Sequence, residues 1–113
     1  MRERDLSTQA LTLRVVTREG VARLVLEGEL DMASAPVLES AVDGALEAAR
    51  DLELDLAGVV FMDSTGLRTL LGIRQRLDGS GRGLRLVAVP PPVLRVLDVT
   101  RTARLFELDP VAG

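Results

Sequence analysis

Several residue types are absent from this chain of 113 residues, and each absence excludes a kind of chemistry. There is no cysteine, histidine, lysine, tryptophan or tyrosine. A disulfide, a zinc–thiolate site and a Ser-His-Asp triad are therefore impossible. Without lysine there is neither a Schiff-base nucleophile nor the lysine of a P-loop. The composition disfavours enzymes and favours a protein that binds and regulates.

The charge and the aromatic content disfavour nucleic acid and membrane partners. All 14 basic residues are arginine, the 17 acidic residues outnumber them, and the only aromatic residues are Phe61 and Phe106. Stacking platforms and a basic patch for nucleic acid are therefore not expected. No segment approaches the ~18 apolar residues of a membrane span, and the charged start is unlike a signal peptide. We expect a cytoplasmic protein without a cofactor.

The pattern of apolar residues predicts one α/β domain, with 47% of the residues hydrophobic. Its sheet is mixed and mostly parallel, with an N-terminal hairpin and helices packed on it. We assign residues 1–10 to a flexible arm, 11–108 to the domain and 109–113 to a tail. The predicted elements are strands at 11–16, 21–27, 52–57, 84–89 and 105–108 and helices at 36–49, 64–77 and 90–99.

One polar segment, Asp63–Leu67, interrupts an apolar run where a strand gives way to a helix. Asp63, Ser64 or Thr65 could cap the helix by accepting a hydrogen bond from a first-turn amide. The same position suits a phosphate, because a helix N-terminus presents free N–H groups and partial positive charge. For such a segment taken alone an ordinary cap is the more common role, and the local chemistry also permits a phosphoserine switch.

Two segments carry a resemblance to a known family. Met62–Leu67, with Leu54–Val59 before it, resembles the STAS domain, and the closer resemblance is to the bacterial anti-sigma factor antagonists. Gly28–Asp31, followed by Ala35-Pro36, resembles a second marker of that family. The resemblance covers residues 11–108 and implies the same fold as the apolar pattern.

The resemblance implies partner switching in transcription regulation, as in stress response or sporulation. The unmodified protein would bind an anti-sigma factor serine kinase, and the sigma factor would be released. Phosphorylation of Ser64 would end this binding, and a serine phosphatase would restore the unmodified protein. Asp63 would shape the helix entry, Asp31 would lie beside the site, and Gly66 would let the partner approach closely. The implied partner-binding residues are Asp31, Met32, Asp63, Ser64, Thr65, Gly66 and Arg68.

The chain departs from the family pattern at two places. Arg68 stands where relatives often have glycine, and it could neutralise a phosphate on Ser64 or contact an acidic partner. Many relatives continue into a C-terminal helix, for which residues 109–113 leave no room, so we expect the last strand to be poorly covered. An exposed edge strand could support a weak homodimer.

Other patterns favour structural roles. A magnesium site at Asp31, Asp55 and Asp63 is conceivable, but two of these lie in loops and Asp55 faces solvent, so we predict no metal site. Gly79–Gly83 follows a helix and precedes a strand, the reverse of a phosphate loop, and Pro90–Pro92 is read as a rigid turn. The alternative function is a STAS subunit of another assembly, such as a lipid-transport complex or a stress-sensing scaffold.

Overall fold

The structure is a computed structural model that describes residues 11–111, so the predicted arm at 1–10 lies outside the described residues. The order of elements agrees with the predicted one and confirms a single α/β domain. The strands are β1 Leu11–Arg18, β2 Val21–Leu30, β3 Asp51–Met62, β4 Leu84–Val89 and β5 Glu107–Pro110. The helices are α1 Ala35–Ala48, α2 Ser64–Gly79 and α3 Pro91–Val99, and a 3-10 turn covers Ala103–Leu105.

The five strands form one sheet in chain order. β1 runs antiparallel to β2, and the other neighbouring pairs are parallel, which confirms the predicted hairpin and the mixed sheet. Glu19 and Gly20 form the hairpin turn with φ values of 52° and 82°. Two consecutive positive φ values define the turn type whose twist matches that of paired strands. β1 and β5 are the edges of the sheet.

The core lies between the sheet and the helices. Leu52, Leu54 and Leu56 alternate along β3 into this core and are at most 1% exposed. α1 packs on β1, β2 and β3, while α2 packs on β2, β3 and β4. Right-handed crossovers between strands taken in chain order leave the helices on the same face of a sheet. The alternating leucines make one face of the sheet apolar, and the helices pack on that face.

The opposite face of the sheet carries a row of alternating charges. Arg23, Glu53, Arg85 and Glu107 are successive cross-strand neighbours on β2, β3, β4 and β5. Arg23 pairs with Glu53 at 3.0 Å, and Arg85 pairs with Asp109 and, at 3.9 Å, with Glu107. The run Leu84–Val89 is apolar except at Arg85, and a strand of this composition is typically buried on both faces, but Arg85 is exposed on this charged face.

Strands β2 and β3 extend further than predicted, to Leu30 and Met62. The sequence suggested a loop from Gly28 onwards, but two register shifts allow the strands to stay paired to their ends. Gly58 makes this possible, since a Cβ there would lie 2.5 Å from Cγ of Glu27 and 3.0 Å from the carbonyl oxygen of Leu26. The long pair β2–β3 brings the loops that follow both strands to one place.

The C-terminal part also differs from prediction. The last strand is shifted to Glu107–Pro110, so two residues of the predicted tail belong to the sheet. Three of its four residues are exposed, which agrees with the expected poor cover. The glycine-rich segment joins α2 to β4, as predicted. Pro90 is the N-cap of α3, and Pro91 and Pro92 are its first two residues, so these prolines start the helix and do not form a separate rigid turn.

Candidate functional site

The loops that follow β2 and β3 begin side by side. Leu30 and Met62 are paired at the ends of these parallel strands, and the amide of Asp63 donates to the carbonyl oxygen of Leu30 at 3.2 Å. Asp31 and Asp63 therefore enter adjacent loops at the carboxyl edge of the sheet. This is the edge at which open α/β sheets bind their ligands. The structure brings together the two segments that the sequence marks 32 residues apart.

Asp63 is the residue that caps α2. Its backbone is extended, with φ −106° and ψ −172°, and Oδ1 accepts a hydrogen bond of 2.9 Å from the amide of Gly66. Of the three residues that could have capped the helix, the structure selects this one, as expected for its role in shaping the helix entry. A cap of this kind contributes about 1 kcal/mol. Ser64 and Thr65 then occupy the first two helical positions.

Ser64 is exposed at the first position of α2. Its hydroxyl makes no hydrogen bond with any other residue in the range 11–111. Since Asp63 already supplies the cap, the Ser64 hydroxyl has no structural task in this part of the chain. It is accessible from solvent, and the capping bond between Asp63 and Gly66 does not involve it.

The loop after β2 is closed by reciprocal hydrogen bonds between Asp31 and Ser34. The amide of Asp31 donates to Oγ of Ser34 and the amide of Ser34 donates to Oδ1 of Asp31, both at 3.0 Å. Ser34 precedes Pro36 at the start of α1, where a serine hydroxyl commonly caps a helix, but its Oγ bonds with Asp31 and makes no capping hydrogen bond to α1. Ser34 is 0% exposed, so this serine is unavailable for modification.

Gly66 has a role inside the domain. It is buried, and a Cβ at this position would lie 2.3 Å from the carbonyl oxygen of Leu30. The expected close approach at Gly66 is thus made by this domain's own backbone. Because Gly66 has no side chain, the first turn of α2 packs against the end of β2, and the two loops lie together.

Exposed apolar side chains lie on β3 and on the loop after β2, near the residues that lead into α2. Met32 is 76% exposed, which the sequence left undecided, while Met62 is buried at 4%. Val60 and Phe61 are 69% and 46% exposed, and sequence reasoning missed both. The register shift that pairs Val59 and Phe61 with consecutive residues of β2 leaves Val60 without a partner in the ladder. An apolar run alone gives no signal of such a bulge.

Two further predicted residues lie on α2. Thr65 is half-buried, and its carbonyl oxygen accepts a hydrogen bond of 3.0 Å from the hydroxyl of Thr69. Arg68 is exposed and lies one turn after Ser64. All the predicted partner-binding residues thus lie at one end of the domain, with Gly66 buried beneath it.

Neither a metal centre nor a membrane span is found in the part of the chain that the structure describes. No three acidic side chains between 11 and 111 are grouped so that they could hold a metal ion. The carboxylate of Asp55 accepts from the amide of Ala57 at 3.1 Å instead. No helix in the same range is long and apolar enough to cross a bilayer.

Comparison with known proteins agrees with this architecture. The family model of the STAS domain matches residues 12–112. The anti-sigma-B factor antagonist of Staphylococcus epidermidis is 31% identical over 100 residues, which cover 88% of this chain and 93% of that protein. The anti-sigma-B factor antagonist of Bacillus subtilis is 31% identical over 99 residues, covering 88% and 91%.

A solved structure leads to the same assignment. The crystal structure of an anti-sigma factor antagonist from Mycobacterium paratuberculosis superposes with a TM-score of 0.80 at 31% identity, covering 92% of this chain and 89% of that one. The chain belongs to the STAS domain family, and among its members it is similar to the bacterial anti-sigma factor antagonists.

The close approach at Gly66 generates a stability prediction. We expect Gly66→Ala to lower the free energy of unfolding by roughly 1–3 kcal/mol, because the new methyl group overlaps the Leu30 backbone. Gly72→Ala, in the same helix with open space around it, should raise it by about 0.5–1 kcal/mol. Urea unfolding measures both changes. Equal effects of the two substitutions would show that the approach to Leu30 is not tight.

Proposed function

We propose that this protein is a non-enzymatic partner switch, an anti-sigma factor antagonist controlled at Ser64. In its unmodified form it binds an anti-sigma factor serine kinase, and the sigma factor is released. The kinase phosphorylates Ser64 and binding ends, and a serine phosphatase restores the first state. The observation that carries the proposal is the exposed Ser64 hydroxyl, free of hydrogen bonds in the described residues, beside the cap of α2.

The position of Ser64 supports a reversible modification. A phosphate adds about 1.5 to 2 negative charges at neutral pH. At the start of a helix those charges meet free N–H groups and the positive end of the dipole. The capping bond joins Asp63 to the amide of Gly66 and does not use the Ser64 side chain. We therefore expect the domain to keep its fold in both states.

The surroundings of Ser64 support a docking surface that phosphate disrupts. Met32, Val60 and Phe61 are exposed near the same end of the sheet, and apolar and aromatic side chains of this kind anchor protein interfaces. A phosphate among such contacts places an unpaired charge against the partner, which costs several kcal/mol. Each 1.4 kcal/mol weakens binding tenfold, so one phosphate is enough to separate two proteins.

The proposed switch needs no cofactor of its own. ATP and its metal ion belong to the kinase, and this chain supplies the hydroxyl acceptor and the binding surface. We place this exchange in the cytoplasm, where sigma factors act on transcription. The relatives that support the proposal carry the name of anti-sigma factor antagonist, and most of this chain is covered in each comparison.

The first test of the proposal is the site of phosphorylation. With its partner kinase and ATP, we expect the protein to gain one phosphate, on Ser64, when its peptides are mapped by mass spectrometry. Ser64→Ala should abolish the modification and change the free energy of unfolding by less than about 0.5 kcal/mol, since the side chain is exposed and does not cap the helix.

Ser40→Ala is the matched control for this experiment, because Ser40 is also exposed but lies on α1. It should be phosphorylated like the wild type. Phosphate found on Thr65, with Ser64 unmodified, would contradict the assignment. Absence of phosphate with every anti-sigma factor kinase of the source cell would favour a STAS subunit of another assembly.

The second test concerns the way in which the switch acts. We expect Ser64→Asp to bind the anti-sigma factor at least tenfold more weakly than wild type, a loss of about 1.4 kcal/mol measured by calorimetry. Amide chemical shifts should change only near residues 31–35 and 61–70, because the added charge acts locally. Ser40→Asp should bind like wild type. Shift changes spread over the whole sheet would contradict a local mechanism and indicate a global conformational change.

A further inference from the structure

The three arginines of α2 differ in what they contact. Arg74 forms an ion pair with Asp78 at 3.4 Å and also donates to the carbonyl oxygen of Leu105. Arg76 pairs with Asp43 on α1. Arg68 is exposed and makes no ion pair or side-chain hydrogen bond with any residue between 11 and 111. It is the arginine of this helix whose guanidinium remains unpaired in that range.

The spacing places Arg68 one turn after Ser64 on the same side of the helix. Residues four apart are neighbours on a helix surface, and the favourable order has the negative group nearer the N-terminus. Helical side chains also lean toward the N-terminus, which directs a long side chain at Arg68 back over Ser64. The positions three and four residues to either side of Arg68 hold no carboxylate, so the helix offers the guanidinium no competing anion.

We propose that Arg68 binds the phosphate on Ser64 within the same chain. The inference rests on the proposed function and adds a regulatory device to it. The planar guanidinium can donate two parallel hydrogen bonds to two phosphate oxygens. The phosphorylated protein then carries its new charge partly neutralised by its own side chain, and the modified state is stabilised. Arg68 acts here as a positioning residue for the phosphate.

The experiment does not depend on a kinase. Phosphoserine is incorporated at position 64 during synthesis, and the second pKa of its phosphate is measured by phosphorus NMR. A neighbouring cation favours the dianion, so pairing lowers this pKa. We expect the pKa to be roughly 0.15–0.4 units lower in wild type than in Arg68→Gln, the size of an exposed pair of this spacing. The difference should shrink in 1 M salt (roughly a 3 Å Debye length).

Two control variants sharpen the result. Arg95→Gln removes the same charge from an exposed arginine of α3, and its phosphate should titrate like that of the wild type. Arg68→Lys keeps the charge but loses the planar guanidinium, and its phosphate pKa should lie between those of wild type and Arg68→Gln. Equal phosphate pKa values in wild type and Arg68→Gln would overturn the proposal. So would an equal shift in Arg95→Gln, since that result indicates only a general effect of net charge.

The failure of this proposal can be separated from the failure of the proposed function. The titration uses protein with phosphate already on Ser64, so it reports on Arg68 whether or not a kinase acts there. If the kinase modifies Ser64 but the phosphate pKa is unchanged in Arg68→Gln, the switch stands and the pairing is wrong. If the pKa changes but no kinase modifies Ser64, the pairing stands and the proposed function is wrong.

Discussion

The site depends on one contact between two strand ends and the start of a helix. The carbonyl oxygen of Leu30 accepts a hydrogen bond from Asp63, and Gly66 lies so close to Leu30 that a methyl group would not fit between them. The register of β2 on β3 places these groups opposite each other. This contact brings the loop after β2 next to the first turn of α2. The proposed docking surface is formed by residues of these two loops and of the strand end before α2, so its arrangement depends on this contact.

The polar residues of the site fall into two groups with separate tasks. One group makes structural hydrogen bonds: Asp31 and Ser34 bond with each other in the loop after β2, and Asp63 caps α2. Ser64 and Arg68 are exposed and make no side-chain hydrogen bonds among the described residues. This division explains how a charged group could be added without loss of the fold. The interactions that hold the loops do not involve the side chain that would be modified.

The distribution of charge follows the same division. On the open face of the sheet, Arg23, Glu53 and Arg85 belong to a cross-strand row in which opposite charges meet. Such exposed pairs contribute little to stability, about 0–1 kcal/mol each, but they leave few free charges on that face. At the entry of α2, exposed apolar side chains lie near the carboxylates of Asp31 and Asp63, and Arg68 makes no ion pair among the described residues. A phosphate on Ser64 would add a large negative charge to this end of the domain.

Much of the fold was accessible from sequence because it depends on local patterns. The apolar pattern predicts the strands and the N-terminal hairpin, and the order of elements predicts the mixed sheet. The motif at Asp63–Leu67 also located the helix start and, through its resemblance, the family. Each of these signals is carried by residues close together in the chain, so no knowledge of distant contacts was needed.

Other features were decided by the tertiary structure. The buried hydrogen bonds of Ser34, the tight approach at Gly66 and the exposure of Val60 and Phe61 all differ from what the sequence suggested or left open. The approach at Gly66 and the exposure of Val60 and Phe61 depend on how β3 is registered against β2, and that register includes two shifts between residues distant in sequence. The bonds of Ser34 to Asp31 are local, but a serine before a helix also fits an ordinary cap, so the sequence alone does not select them. Hydrophobic periodicity reports which residues prefer burial. It does not report which apolar residue lies at a bulge and is exposed, because the position of a bulge is set by the pairing of strands across the sheet.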